Sequence, residues 1–211
     1  MVGLFKLKRQ WISLTVVILF GFALFFIGTD GFTAFTEETA RTNQLVEEQP
    51  SLPQVTLEDT FEREYDFSEF EGKYVLMTFF YSSCSTVCPI LEQNVANIYE
   101  EVPAKYLGED IVFLSVSFDP ERDTPEVLDK YRTYFGSDGE EWRMARVADE
   151  QELDFLLDEF GVIAIPDDEG EFSHNVAFYL VNPDGYLEDV MDFEDVDGAT
   201  NKVLHALESE G

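Results

Sequence analysis

Two cysteines four positions apart, Cys84 and Cys88, stand in the run Ser83-Cys84-Ser85-Thr86-Val87-Cys88-Pro89, and the chain of 211 residues has no others. That spacing puts both sulfurs on one face of a helical turn, or of a loop leading into it. A helix N-terminus stabilises thiolate, and thiolate is both the sulfur nucleophile and the metal ligand. Three chemistries fit the pair. A structural disulfide suits an oxidising compartment, but a loop this short removes little chain entropy. A redox-active dithiol is the second, and a metal site is the third.

The search for further ligands is short, because only two histidines exist. His205 lies in the C-terminal run Asn201-Lys202-Val203-Leu204-His205-Ala206-Leu207 and reads as a partly exposed helix residue. His174 follows the loop 166–173 and precedes an apolar run, so it is either a ligand or a structural histidine at a strand entry. Two thiolates with one imidazole suit Cu(I) in trigonal geometry and hold Cu(II) with a further oxygen. Zinc also accepts these donors with an open fourth position. Met77, Met144 and Met191 sit in strand-like runs and read as core, not as ligands.

These residues must be positioned by a frame that is legible in outline. Val55–Phe67 alternates apolar with charged residues, which predicts a short hairpin ahead of the main sheet. Tyr74–Tyr81 and Ile111–Phe118 are continuous apolar runs, as expected of strands buried on both faces. Helical spacing begins at Pro89. Thr124 offers an N-cap with Pro125 at the first helical position, opening a helix to about Phe135. Asp149 and Glu152 have capping-box spacing for a helix through Phe160, with Gly161 as its stop. Asn175–Val181 and Tyr186–Phe193 read as strands joined by the turn Asn182-Pro183-Asp184-Gly185, and a last helix runs from about Ala199 to Glu208. Helices alternating with buried strands give an α/β layered sheet. The order is thioredoxin-like, with an N-terminal hairpin and an insertion before the C-terminal hairpin. In thioredoxin-like folds the segment before the penultimate strand faces the cysteine helix, and here Ser173-His174-Asn175 occupies it.

Ahead of this domain, Ile12–Gly28 is uncharged and almost wholly apolar. With Trp11 it approaches the roughly 20 residues that span a bilayer. Lys6, Lys8 and Arg9 precede it and Asp30, Glu37 and Glu38 follow it, which orients the N-terminus inward and the remainder outward. The expected organisation is a cytoplasmic tip and transmembrane anchor over 1–30, a stalk over 31–54 and a folded domain over 55–211. Small residues at a cleavage spacing are missing after the apolar run, which favours a retained anchor over a signal peptide. There are 44 Asp+Glu against 13 Lys+Arg, for a net charge of −31. Such a field repels nucleic acid and anionic lipid; it would attract cations or a basic partner, but its even spread favours surface adaptation to salt or alkali.

Taken together, the run ending in Cys84-Ser85-Thr86-Val87-Cys88-Pro89, the segment Ser117-Phe118-Asp119-Pro120-Glu121-Arg122-Asp123-Thr124-Pro125, and His174 ahead of a strand and an Asn-Pro-Asp-Gly turn resemble the Sco/SenC copper chaperones of cytochrome oxidase assembly. The resemblance covers about Val55–Leu207. It implies one copper ion held by Cys84, Cys88 and His174, and delivery to the dinuclear copper (CuA) site of oxidase subunit II. Ser85 departs from the pattern, since many members have proline there; no ligand is lost. Asp119 and Asp123 are candidates for orienting the site, with turn and helix-cap roles as the plainer alternative.

On this reading the chain is a membrane-anchored, extracytoplasmic assembly factor rather than a conventional enzyme, with the insertion Asp167–Ser173 moving to release metal. The rival is a thiol–disulfide oxidoreductase in which Cys84 and Cys88 reduce the oxidase's copper-ligating cysteines and His174 tunes their thiolates. A peroxidase is a weaker third reading, for want of a peroxide site around a single activated cysteine.

Overall fold

The computed structural model describes residues 2–29, 37–167 and 171–209, with the backbone alone at 2–10, 12, 13 and 37. It divides into two compact units, Met1–Glu47 and Glu48–Gly211. The first holds helix α1, Val2–Gly28, and helix α2, Glu37–Glu48, whose Arg41 pairs with Glu38 one turn earlier. The side chains of α1 from Leu14 to Ile27 are exposed. Among the described residues no helix is long and apolar enough to cross a membrane. The expected transmembrane helix is therefore not established by the structure.

The second unit is an α/β layer built on one mixed sheet. In chain order it comprises β1 (Leu57–Asp59), β2 (Glu64–Tyr65), a 3₁₀ turn (Phe67–Phe70), β3 (Tyr74–Phe80), α3 (Cys88–Glu101), β4 (Ile111–Ser117), α4 (Pro125–Arg132), β5 (Trp142–Val147) and α5 (Glu150–Glu159). Then follow β6 (Ala164–Pro166), β7 (Phe172–His174), β8 (Phe178–Val181), β9 (Leu187–Met191) and α6 (Val196–Ser209). The seven-stranded sheet has the order β2-β1-β5-β4-β3-β8-β9, while β6 and β7 form a separate two-stranded hairpin. The three central strands are parallel and the flanking ones antiparallel. This is the thioredoxin-like order that the apolar runs imply.

Every residue of β3 and β4 is buried, as continuous apolar runs demand when helices cover both faces. Thr78 and Phe80 point to one face, where Thr78 meets Glu92 of α3 and Phe80 stacks on Tyr131 of α4 at 5.2 Å. Phe79 points to the other, against Phe160 at the end of α5. Full burial of each such aromatic contributes about 1.5–3 kcal/mol. The caps form as the sequence dictates: Thr124 accepts from Val127 N to open α4, and Asp149 accepts from Gln151 N and Glu152 N to open α5. The Glu152 carboxylate does not complete a capping box, because it accepts instead from Thr56 N at 2.6 Å. Gly161, at φ +58°, ends α5 in the left-handed region that glycine tolerates best.

Several boundaries differ from expectation. The first hairpin does not lie ahead of the sheet; β1 pairs with β5 and extends its edge. Strand β5 is not announced by an apolar run because Arg143 and Arg146 interrupt it. Arg146 is neutralised by Glu58, its cross-strand partner, and Arg143 lies over the rings of Tyr65 and Phe70. The insertion itself holds the β6–β7 hairpin. Of the expected mover Asp167–Ser173, residues 168–170 lie outside the described residues, and Phe172 and Ser173 belong to β7.

Candidate metal centre

Strand β3 ends at Phe80, and the chain turns through Tyr81–Val87 before α3 begins at Cys88. Cys84 therefore sits in the loop ahead of the helix, and the Cys88 amide donates to its sulfur at 3.4 Å. Val87, the N-cap residue, provides no side-chain cap, so the Cys84 sulfur takes an acceptor role at this helix start. Both cysteines are free thiols and both are buried.

The two sulfurs differ electrostatically. Burial disfavours the Cys84 thiolate, yet the amides of Cys88 and Thr86 and the side chains of the same residues more than offset it, and its pKa lies below the usual thiol value. Cys88 is pushed well up, chiefly by burial, with the Tyr81 amide opposing. In the metal-free dithiol, Cys84 is the readier thiolate and Cys88 keeps its proton.

His174, at the end of β7, brings Nε2 to 3.8 Å from the Cys88 sulfur. Its Nδ1 lies 3.2 Å from the Asn175 carbonyl; with Nδ1 as donor there, the Nε2 lone pair faces the cysteines. Burial holds its pKa below the usual imidazole value, partly countered by that carbonyl. The donor atoms of Cys84, Cys88 and His174 all lie within 4.8 Å of one another. A trigonal centre with metal–sulfur bonds of about 2.3 Å needs donors about 4 Å apart. The three residues thus fit a metal with small inward shifts, and two soft sulfurs with one imidazole suit copper. The structure brings these three residues together and leaves His205 exposed on α6, remote in role from the site.

Asp123 and Asp119 act on the frame. Asp123 is wholly buried and accepts from Ser82 N at 2.9 Å, from Ser82 Oγ and from Ser117 Oγ at 2.5 Å. It ties the cysteine loop to the end of β4, and the cap of α4 is left to Thr124. Asp119 pairs with Arg122. Burial raises the Asp119 pKa, with Arg122 opposing.

Two residues escape a reading of the sequence. Glu92, one turn beyond Cys88, is fully buried and accepts from Ser115 Oγ at 2.7 Å and Thr78 Oγ1 at 3.1 Å. Its place on the stripe Cys88, Glu92, Val95 was the available signal. Tyr81, at the end of an apolar run, gave none. Its hydroxyl donates to Glu171 Oε2 at 2.8 Å and accepts from Phe172 N at 3.3 Å, with the Cys84 thiol beside it.

A family model described as SCO1/SenC matches residues 44–208. The SCO1 protein homolog of Bacillus subtilis is 28% identical over 117 residues, covering 54% of this chain and 60% of that protein, less than two thirds of its length. Among solved structures, yeast Sco1 with copper bound aligns with a TM-score of 0.65 at 24% identity, over 76% of this chain and 90% of that one. BsSco, a member of the Sco family of cytochrome c oxidase assembly proteins in which a disulfide switch was identified, aligns with a TM-score of 0.64 at 23% identity, over 75% and 94%. At these identities the structural likeness speaks for the fold.

Proposed function

The chain belongs to the SCO1/SenC family, and from that premise we propose that it is a copper-binding assembly factor delivering copper to the CuA site of cytochrome c oxidase subunit II. The observation that carries this reading is the convergence of Cys84, Cys88 and His174 donors within 4.8 Å. Copper is cargo here: Cys84 and Cys88 hold it as thiolates, His174 supplies the imidazole, and Asn175 fixes the ring through its carbonyl. The N-terminal segment anchors the protein as a single pass, with the domain on the extracytoplasmic side. Exposed apolar side chains from Leu14 to Ile27, and the basic residues ahead of them, support that placement.

Anaerobic copper titration of the reduced full chain tests the site. One equivalent should bind, with sulfur-to-Cu(II) absorption, and Cys88→Ser or His174→Ala should lower affinity by more than about a hundredfold, beyond what outer-sphere changes cost. Growth of the CuA spectrum on mixing with copper-free subunit II tests delivery, and a flat spectrum removes it.

A second reading rests on the unequal thiols. As a reductant, the Cys84 thiolate attacks a partner disulfide and releases one partner thiolate. Cys88 then gives up its proton, attacks the Cys84 sulfur of the mixed disulfide and releases the second partner thiolate, which takes up that proton, so two electrons pass to the partner and Cys84–Cys88 becomes oxidised. Absence of stoichiometric copper binding, together with fast disulfide exchange indifferent to copper, would select this reading.

A further inference from the structure

His174 is carried by a hairpin that contributes nothing to the seven-stranded sheet and whose two strands have no buried residue. Something outside the hairpin must fix the imidazole relative to the sulfurs. Tyr81 meets both halves of the site. Its backbone carbonyl accepts from Cys84 N at 3.2 Å. Its ring meets His174 edge-on at 5.7 Å and Phe172 at 5.1 Å. Its hydroxyl grips β7 through Phe172 N and Glu171. Phe118 packs on the same two rings of β7, and Arg122 lies over Phe172.

We propose that Tyr81 is a positioning residue whose hydroxyl latches β7 and thereby presets the separation between the His174 imidazole and the two sulfurs. The proposal rests on the copper-site reading above and adds a residue that touches none of the bound metal. A preset site loses less freedom when it closes on its ion, so the latch strengthens binding without supplying a ligand. Tyr81→Phe removes the hydroxyl and keeps the ring, so the buried packing survives.

The test combines two readouts on the full chain. In the copper-free protein, Tyr81→Phe should speed exchange of the Phe172 amide about fivefold, the weight of one neutral hydrogen bond, and leave β3 amides unchanged. In anaerobic copper titration the same substitution should keep one equivalent and lower affinity about fivefold. That loss should vanish in a His174→Ala background, because the latch acts through the imidazole. Additive losses would place the effect on Cys84 instead and overturn the proposal, as would wild-type exchange and affinity in Tyr81→Phe. If the wild-type chain binds no copper, the reading of the site falls and the positioning role falls with it. If wild type and Tyr81→Phe bind equally, the positioning role alone falls.

Discussion

Strands β3 and β4 contain only buried residues, whereas β6 and β7 contain none. The first pair runs in step over seven residue pairs, from Tyr74 opposite Ile111 to Phe80 opposite Ser117, and leads into the cysteine loop. The second pair is three residues long, carries Ile163 and Ile165 exposed in and beside it, and ends at His174. The sulfur half of the site is thus set by the core, and the imidazole half by a few side-chain contacts. A metal site divided in this way has a rigid part that defines the donors and a compliant part that determines how tightly they close.

The largest test of this contrast is amide exchange. Amides of β3 and β4 should open only with the whole domain, and those of β6 and β7 by local fluctuation, a difference of at least about a thousandfold in protection. Equal protection would remove the distinction. Next, Phe80→Ala should cost about 3–5 kcal/mol in denaturant unfolding, since it empties a fully buried position against Tyr131. A loss under 1 kcal/mol would mean that the core beneath the cysteines is not the rigid half.

Acid–base behaviour gives a third, slightly smaller effect. Burial raises the Glu92 pKa from 4.5 to about 7, partly countered by the Ser115 and Thr78 hydroxyls. A carboxyl whose pKa is raised on folding contributes its stability below pH 4.5, and that contribution is lost as pH rises through about 7. The expected decline from this group is about 3 kcal/mol, and Glu92→Gln should flatten it across the same window. An unchanged slope in that variant would assign the decline to other groups. Smallest of all, Ile165→Ala on the exposed face of β6 should change global stability by less than about 0.5 kcal/mol. A larger loss would show that the hairpin belongs to the core's cooperative unit.

The same division explains what the sequence could disclose. Tyr74–Phe80 and Ile111–Ser117 are legible because strands buried on both faces have to be apolar throughout, and Thr124-Pro125 and Asn182-Pro183-Asp184-Gly185 are legible because caps and tight turns admit few residue types. The cysteine spacing is local chemistry and equally readable. The β6–β7 hairpin is not, because three-residue strands with a proline and exposed side chains leave no period. His174 could therefore be placed only by its position in the chain order. Strand β5 was hidden by Arg143 and Arg146, whose charges are met by partners far away in sequence. Tyr81 and Glu92 look like an ordinary strand end and an ordinary helix acid until tertiary contacts give each its task.

Asp123 has a mechanical consequence. By gripping Ser82 and Ser117 at once, it bolts the cysteine loop to the end of a fully buried strand. The site is then a vice with one jaw fixed to the bench, and the other, carrying His174, mounted on a light hinge. Load on the fixed jaw is shared with the sheet, whereas load on the hairpin falls on the imidazole first, so under the function proposed above release of copper would begin at His174 and end at the two sulfurs.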